Sequence, residues 1–409
     1  MDLTKFYSLV VPTKKEEEKI KRVIETIKKN IKIKGAKIFV GGSFAKGTWL
    51  KGLRDLDIYV IFNKKFRKQN ISEILRNYLE KKFKVKVIKG SRDYFQIKKD
   101  GFVIEIIPIL KIDSPEEAQN ITDISPFHVR FVNSYPNLKN DIRLAKAFCK
   151  SIGVYGAESY IRGFSGYVLE VLTIYYGSFY DLIVNASKWK KKTIIDPMGY
   201  YRGKEVLKEM NIAKIQSPLI LVDPVQKTRN AAAGLSEECY KKFIEKAREF
   251  IKKPSEEFFI VKKFDIEELK KKWQRKNIIL IIGKAKRKRK DIAGAKLLKF
   301  FEFIKKSLEG EGFKLTDCGW SWDGKAYFWF VVEKKLLPMY KIHWGPPIKY
   351  KERLKNFRKK WKKKRIYVKN GISYVKVKRE FRDAYSFVKS LIKKDYPKDK
   401  INKPKIYKF

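Results

Sequence analysis

A small-residue turn carrying a hydroxyl, Gly41-Gly42-Ser43, runs into Ala45-Lys46-Gly47-Thr48-Trp49-Leu50 and then into paired carboxylates, Asp55-Leu56-Asp57. Phosphoryl transfer needs both parts. Glycines let backbone N–H groups approach a polyphosphate without obstruction by side chains. Carboxylates hold the divalent cations that neutralise developing charge. Two carboxylates facing the same way repel each other unless a cation lies between them. A third acid is expected on a neighbouring strand, and Glu105 is the candidate. It is the single charge in Phe102-Val103-Ile104-Glu105-Ile106-Ile107-Pro108-Ile109, an apolar run in which an ionised group is costly unless paired or metal-bound. The alternative is an edge strand with Glu105 turned to solvent.

These residues need elements to hold them. Residues 37–40 read as a strand rich in β-branched and aromatic side chains, ended by Gly41-Gly42. Ser43 is then expected at the N-cap of a helix whose free N–H groups face an anion. Residues 55–62 read as the next strand, on which alternation places Asp55 and Asp57 on one face. Residues 14–31 form an amphipathic helix, with Ile20, Val23, Ile24 and Ile27 on one side, and 71–83 a second helix. Asp100-Gly101 marks a hairpin turn between 94–98 and 102–107.

From about Asp113 the pattern turns mostly helical. Residues 141–150, 164–176 and 236–251 have helical spacing, the last with Ser236 as its cap and Glu237 and Glu238 in its first turn. After Lys252-Lys253-Pro254-Ser255 mixed α/β character returns. Residues 258–261, 278–282, 326–332 and 339–343 read as strands and 292–308 as a helix. Lys369-Asn370-Gly371-Ile372 joins a hairpin. The fold class is therefore α+β and multidomain: an α/β head over residues 1–112, a central helical domain over 113–257, and a basic C-terminal α/β region over 258–409.

Composition sets the class of partner. The chain has 409 residues, 96 Lys and Arg against 45 Asp and Glu, and a formal charge of +51. That excess argues against a chain handling only small molecules. It points to a polyanion, with nucleic acid ahead of an acidic membrane surface. No apolar run approaches bilayer length, and the N-terminus carries no signal-peptide pattern, so a cytoplasmic protein without a membrane partner is expected. Cys149, Cys239 and Cys318 match no metal spacing and are expected as buried thiols in a reducing compartment, and two histidines, His128 and His343, argue against a His-based metal site. Six of the seven residues 284–290 and seven of the eight residues 358–365 are basic. Trp320, Trp322, Phe328, Trp329, Tyr340, Trp344 and Trp361 lie among these runs. Basic tracts contact phosphates and aromatics can stack on bases, the alternative being that the aromatics are core.

Gly42-Ser43 through Asp55-x-Asp57 resembles the head motif of the polymerase-beta-like nucleotidyltransferase superfamily. Further segments narrow the resemblance to the archaeal (class I) CCA-adding enzymes, tRNA nucleotidyltransferases. They are Val11-Pro12-Thr13, Ala45-Lys46-Gly47-Thr48-Trp49-Leu50, Arg162-Gly163-Phe164-Ser165-Gly166-Tyr167, Tyr175-Tyr176-Gly177-Ser178-Phe179, Asp223-Pro224-Val225-x-x-x-Arg229-Asn230 and Trp344-Gly345-Pro346-Pro347. They span the chain in order from about Val11 to Asp383.

The resemblance implies a palm-like head and one active site that adds C, C and A to the tRNA 3′ end without a template. CTP and ATP would be the substrates, with two Mg²⁺ ions, and the 3′-OH would attack the α-phosphate as pyrophosphate leaves. Asp55 and Asp57 match the family's metal-binding acids. Glu105 stands at the third acid position, where the family usually has Asp. Gly42, Ser43 and Lys46 match triphosphate contacts; His128, Lys146 and Tyr155 match further nucleotide contacts; Arg229 matches the arginine that reads the incoming base. The tRNA acceptor arm would bind the C-terminal basic body and tail, and the family suggests a homodimer. Two rivals remain open at this point: a poly(A)- or oligoadenylate-adding enzyme of the same superfamily, and a catalytically silent RNA-binding relative.

Overall fold

Helices α1 (Thr4–Val10) and α2 (Lys14–Asn30) open the chain. Thr13 and Glu16 start α2 as a reciprocal cap. The Thr13 hydroxyl accepts from Glu16 N at 3.2 Å, and the Glu16 carboxylate accepts from Thr13 N at 2.8 Å. Spacing of three and four residues then buries Ile20, Val23, Ile24 and Ile27 on one stripe. The computed structural model describes residues 3–201, 205–287 and 289–409.

Strand β1 (Ala36–Val40), helix α3 (Gly42–Ala45), β2 (Asp55–Phe62), α4 (Ile71–Glu80), β3 (Lys86–Ile88), β4 (Tyr94–Lys99) and β5 (Phe102–Leu110) follow. The five strands form one sheet in the order β1-β2-β5-β4-β3, in which β2 and β5 run parallel and the other neighbours antiparallel. Leu56, Ile58, Val60 and Phe62 of β2 and Ile104 and Ile106 of β5 pack with α2 and α4 into one core. Side chains alternate across a strand, so Asp55, Asp57 and Glu105 project from the opposite face. Because β2 and β5 are interior strands, Glu105 is not on an edge. The turn into β5 uses Asp100 and Gly101 at φ +51° and +84°.

The chain continues through α5 (Ser125–Asn133), α6 (Lys139–Ser151), α7 (Gly166–Tyr176), α8 (Phe179–Ala186), β6 (Thr193–Ile195), α9 (Val206–Glu209), β7 (Leu219–Leu221) and α10 (Glu237–Lys252). Phe148, Leu169, Leu172, Phe179, Leu182, Phe243 and Phe250 form a second core, which Phe6 and Val10 of α1 join. Ser165 caps α7 and Ser236 caps α10, each accepting a backbone N–H at 3.2 Å. Among the described residues no single helix is long and apolar enough to cross a membrane. The apolar pair α7 and α8 meets at 94° inside this core. Cys149 and Cys239 are buried free thiols, and Cys318 is half-buried.

The expected strand over 258–261 is instead one 3₁₀ turn, Glu256–Phe259. Its two phenylalanines fill separate gaps in the helical core. Phe258 stacks on Phe148 at 5.7 Å, and Phe259 lies 5.0 Å from Phe6. The first compact unit accordingly runs to Lys262, past the residue 257 at which sequence placed the end of the helical domain, and it holds the head and the helices together.

The second unit, Lys263–Phe409, contains α11 (Ile266–Lys272), β8 (Asn277–Ala285), α12 (Lys290–Glu311), β9 (Leu315–Asp323), β10 (Lys325–Val332), β11 (Tyr340–Pro347), α13 (Lys351–Lys360), β12 (Ile366–Lys369), β13 (Ile372–Lys378), α14 (Ala384–Leu391), α15 (Asp395–Lys400) and β14 (Ile401–Lys408). Two antiparallel sheets result, β14-β8-β10-β9 and β11-β13-β12. The hairpin turn between β12 and β13 is Asn370-Gly371, both at positive φ as such a turn requires. The aromatics divide between roles. Phe328 is core and Trp329 stacks on Phe264 at 4.8 Å, whereas Tyr340 and Trp344 are each 50% exposed. Residues 362–365 of the second basic run are exposed. In the first, Lys288 lies outside the described residues.

Candidate active site

Parallel register places Asp57 of β2 directly opposite Glu105 of β5, with Asp55 two residues away on the same face. Gly42 brings the phosphate-side turn against this pair. It takes φ +59°, and a Cβ there would fall 1.8 Å from Asp57 Oδ2, so glycine is required on two counts. The Asp57 carboxylate makes no side-chain hydrogen bond or ion pair among the described residues. Burial, then the charges of Glu105 and Asp55, push its pKa up to about 6. Glu105 accepts a hydrogen bond from Gln96 Nε2 of β4 at 2.7 Å. Among the described residues no three His, Cys, Asp or Glu side chains converge into a ready-made metal cage. The donor set nonetheless fits a divalent cation. Oxygen ligands repel one another on adjoining strands, and added positive charge would favour the ionised form of Asp57.

Ser43 departs from its expected position. The turn begins two residues earlier: Gly41 occupies the cap, Gly42 adopts the left-handed conformation, and Ser43 sits inside a single helical turn closed by Ala45 N to Gly41 O at 3.2 Å.

Lys46 and Lys146 are both buried and share one carboxylate. Lys46 Nζ lies 2.8 Å from Glu170 Oε2, and Lys146 Nζ lies 2.7 Å from Glu170 Oε1. The Thr48 hydroxyl donates to Glu170 at 2.6 Å and accepts from Lys146 at 2.8 Å. Burial alone would raise the Glu170 pKa, but the two ammonium groups hold it down to about 2. Burial lowers that of Lys146. The cluster keeps one positive charge in excess. It also ties the turn after α3 to α6 and α7, an attachment extended by Arg143 to Trp49 O and Asn133 to Ala45 O. Local sequence reads Lys146 as a helix-surface cation, and neither its burial nor Glu170 as its partner follows from it. Glu170 carried a usable signal all the same, a lone charge in Val168-Leu169-Glu170-Val171-Leu172.

A second carboxylate, Asp223 after β7, gathers His128 and Arg229. Its Oδ2 accepts from His128 Nε2 at 3.1 Å and from Arg229 at 2.5 Å, and its Oδ1 accepts from the Tyr167 hydroxyl and from Val225 N, both at 2.9 Å. Burial would raise its pKa; His128, Arg229 and the Val225 amide bring it to about 2. Burial lowers the pKa of His128. The Tyr167 ring joins the two clusters. Its centroid is 4.0 Å from that of His128 and 5.0 Å from Lys46 Nζ. Tyr155 lies on the loop after α6, with its hydroxyl 3.0 Å from where a Cβ on Gly166 would be and its pKa raised by burial. Asp55, Asp57, Glu105, Gly42 and Ser43 thus gather at one end, Lys46 and Lys146 in the middle, and His128 and Arg229 at the other. Glu170, Asp223 and Tyr167 are the connecting residues that sequence reasoning gave no role.

Comparison with known proteins follows the same division. Residues 20–128 match the nucleotidyltransferase domain family, residues 140–260 the second domain of tRNA nucleotidyltransferases, and residues 276–397 the C-terminal domain of CCA-adding enzymes. The CCA-adding enzyme of Nanoarchaeum equitans is 40% identical over 347 residues, covering 82% of this chain and 84% of that one. That of Sulfurisphaera tokodaii is 34% identical, covering 85% and 81%. A solved cytoplasmic RNA terminal U-transferase superposes with a TM-score of 0.52 at 14% identity, over 64% of this chain and 97% of that one, a likeness of fold alone.

Proposed function

This chain belongs to the family of CCA-adding enzymes, and on that premise we propose how its residues divide the work. The reaction is template-independent addition of CCA to the tRNA 3′ end from nucleoside triphosphates, and the family is one that uses divalent metal. In our proposal the nucleotides are CTP and ATP and the metal is a pair of Mg²⁺ ions held by Asp55, Asp57 and Glu105. Bound there, they would neutralise charge on the reacting α-phosphate and the departing pyrophosphate.

The chain's own groups do the rest. Gly42 and Ser43 present backbone N–H and hydroxyl donors to the polyphosphate. Lys46, held between Glu170 and Tyr167, supplies positive charge beside it, and Lys146 acts through the Glu170 cluster. Tyr155 closes the sugar side, and His128 and Arg229 face the base. One observation carries this assignment: Asp57, opposite Glu105 and against Gly42, is a half-buried carboxylate without a partner among the described residues. The tRNA acceptor arm lies along the exposed cations of the second unit. An A-form major groove is too deep and narrow for side chains to read, so recognition is by shape and backbone. The expected affinity therefore falls steeply with salt. We place the protein in the cytoplasm, consistent with the buried thiols of Cys149 and Cys239.

The deciding experiment incubates a tRNA lacking its last three nucleotides with each NTP singly and in pairs. Growth by three residues and no more, only with CTP and ATP together, is the expected result. Long homopolymer tails, or no pyrophosphate release at all, would overturn it.

A further inference from the structure

Asp223 holds two base-facing groups on a single oxygen. That oxygen, Oδ2, takes hydrogen bonds from His128 Nε2 and from the Arg229 guanidinium. Building on the function proposed above, we propose that Asp223 is a specificity-determining positioning residue: by fixing His128 as its Nε2–H tautomer beside Arg229, it presents an acceptor and a donor side by side that fit cytosine and adenine and reject uracil and guanine.

The argument starts from protonation. With four donors on its two oxygens, Asp223 is ionised, and an ionised carboxylate only accepts. His128 Nε2 therefore carries the proton it shares with Asp223. The ring is neutral near pH 7, since burial lowers its pKa. A neutral imidazole protonated on Nε2 has a lone pair on Nδ1. Nδ1 makes no hydrogen bond among the described residues and is not a buried orphan atom, so it is open to a ligand. Arg229 uses one N–H group on Asp223 and is partly exposed, leaving further donors.

The pair then reads the edge that the two accepted bases share. Cytosine and adenine each place an amino donor next to a ring-nitrogen acceptor. Uracil and guanine place a carbonyl acceptor next to a ring N–H donor. Nδ1 accepting and Arg229 donating complement the first pattern and oppose the second. The mismatch leaves polar groups unpaired, the kind of penalty that discriminates strongly. A pyrimidine and a purine pass the same test, since both are read by the same two atoms.

Asp223→Asn tests this without changing shape. An amide that accepts from Tyr167 and Val225 must point its NH₂ at His128. Nε2 then becomes an acceptor, the proton moves to Nδ1, and Arg229 loses its partner. In ¹⁵N-histidine spectra at pH 7.5, the signals lost in His128→Phe should be those of an Nε2–H tautomer in the unaltered protein and of an Nδ1–H tautomer in the Asn variant. The ratio of kcat/KM for CTP over UTP should fall at least tenfold in the Asn variant. An Nδ1–H ring or an imidazolium in the unaltered protein would overturn the proposal, as would an unchanged ratio in a folded variant. If Asp223→Asn does not fold, His128→Phe keeps the ring on Tyr167 without its nitrogens and should show the same fall; an unchanged ratio there overturns the proposal equally. The spectrum of the unaltered protein needs no turnover. Failure of that protein to extend tRNA would count against the function and not against the tautomer.

Discussion

Two groups of acids in the first unit have opposite surroundings. Glu170 and Asp223 are saturated with donors, and their pKa values are held near 2. Asp57 has no side-chain partner among the described residues and two like charges nearby, and its pKa is pushed up to about 6. The difference separates jobs. A carboxylate whose lone pairs are filled by the protein organises its neighbours. One left to repel its neighbours is, on the function proposed above, kept for a cation.

The largest effect expected from this contrast is on turnover. Asp57→Ala should lower kcat by about 10³-fold or more, several kcal/mol of lost charge stabilisation, with tRNA affinity nearly unchanged and no loss of metal-free Tm. Near-normal turnover would break the contrast at its first term.

Glu170→Ala should do the reverse, losing stability before chemistry. It strands two buried ammonium groups, and removing one partner of such a cluster costs about 3–5 kcal/mol. Chemical denaturation would measure it, and a cost comparable to that of Asp57→Ala would erase the distinction.

Titration gives a third, smaller comparison. The low folded-state values of Glu170 and Asp223 stabilise the protein above the ordinary carboxyl range, a contribution lost as pH falls from about 4.5 toward 2. Asp57 has the opposite sign. Its raised value makes the ionised form a burden in the metal-free protein, one that grows as pH rises from about 4 through 6. Metal-free Asp57→Asn should therefore exceed the unaltered protein in Tm at pH 7, with the gain vanishing near pH 4. Equal Tm differences at both pH values would contradict the assignment.

The least effect is expected where an acid is paired but exposed. Asp113 meets Lys64 at 2.7 Å in solvent, and Asp113→Asn should leave Tm unchanged within error, since exposed pairs contribute little. A clear drop would mean that pairing alone, without burial, suffices.

Much of the acid end was legible in the sequence because it is local. Alternation put Asp55 and Asp57 on one face, and a lone charge in an apolar strand found Glu105. The pairing that sets Glu105 opposite Asp57 is the parallel register of β2 and β5 in the structure. The other end was not legible, because its contacts join residues far apart in the chain. Lys46 meets Glu170 across 124 positions, and His128 meets Asp223 across 95. The criterion that found Glu105 also applies to Glu170 within α7, and applying it to helices would have recovered the central cluster. The cap was misplaced by two residues, at Ser43 instead of Gly41, because Gly42 could take a conformation that a cap rule does not consider. Phe258 and Phe259 looked like strand because apolar pairs do not reveal which core they enter.

The contact between residue 42 and Asp57 Oδ2 has a practical side. A single added methyl, the least a mutation can introduce, would shove the Asp57 carboxylate aside. Gly42→Ala should thus give an inert decoy, still able to grip its nucleic acid and unable to release it extended. Such a decoy is suited to freezing the complex for imaging or to fishing unprocessed transcripts out of a cell extract.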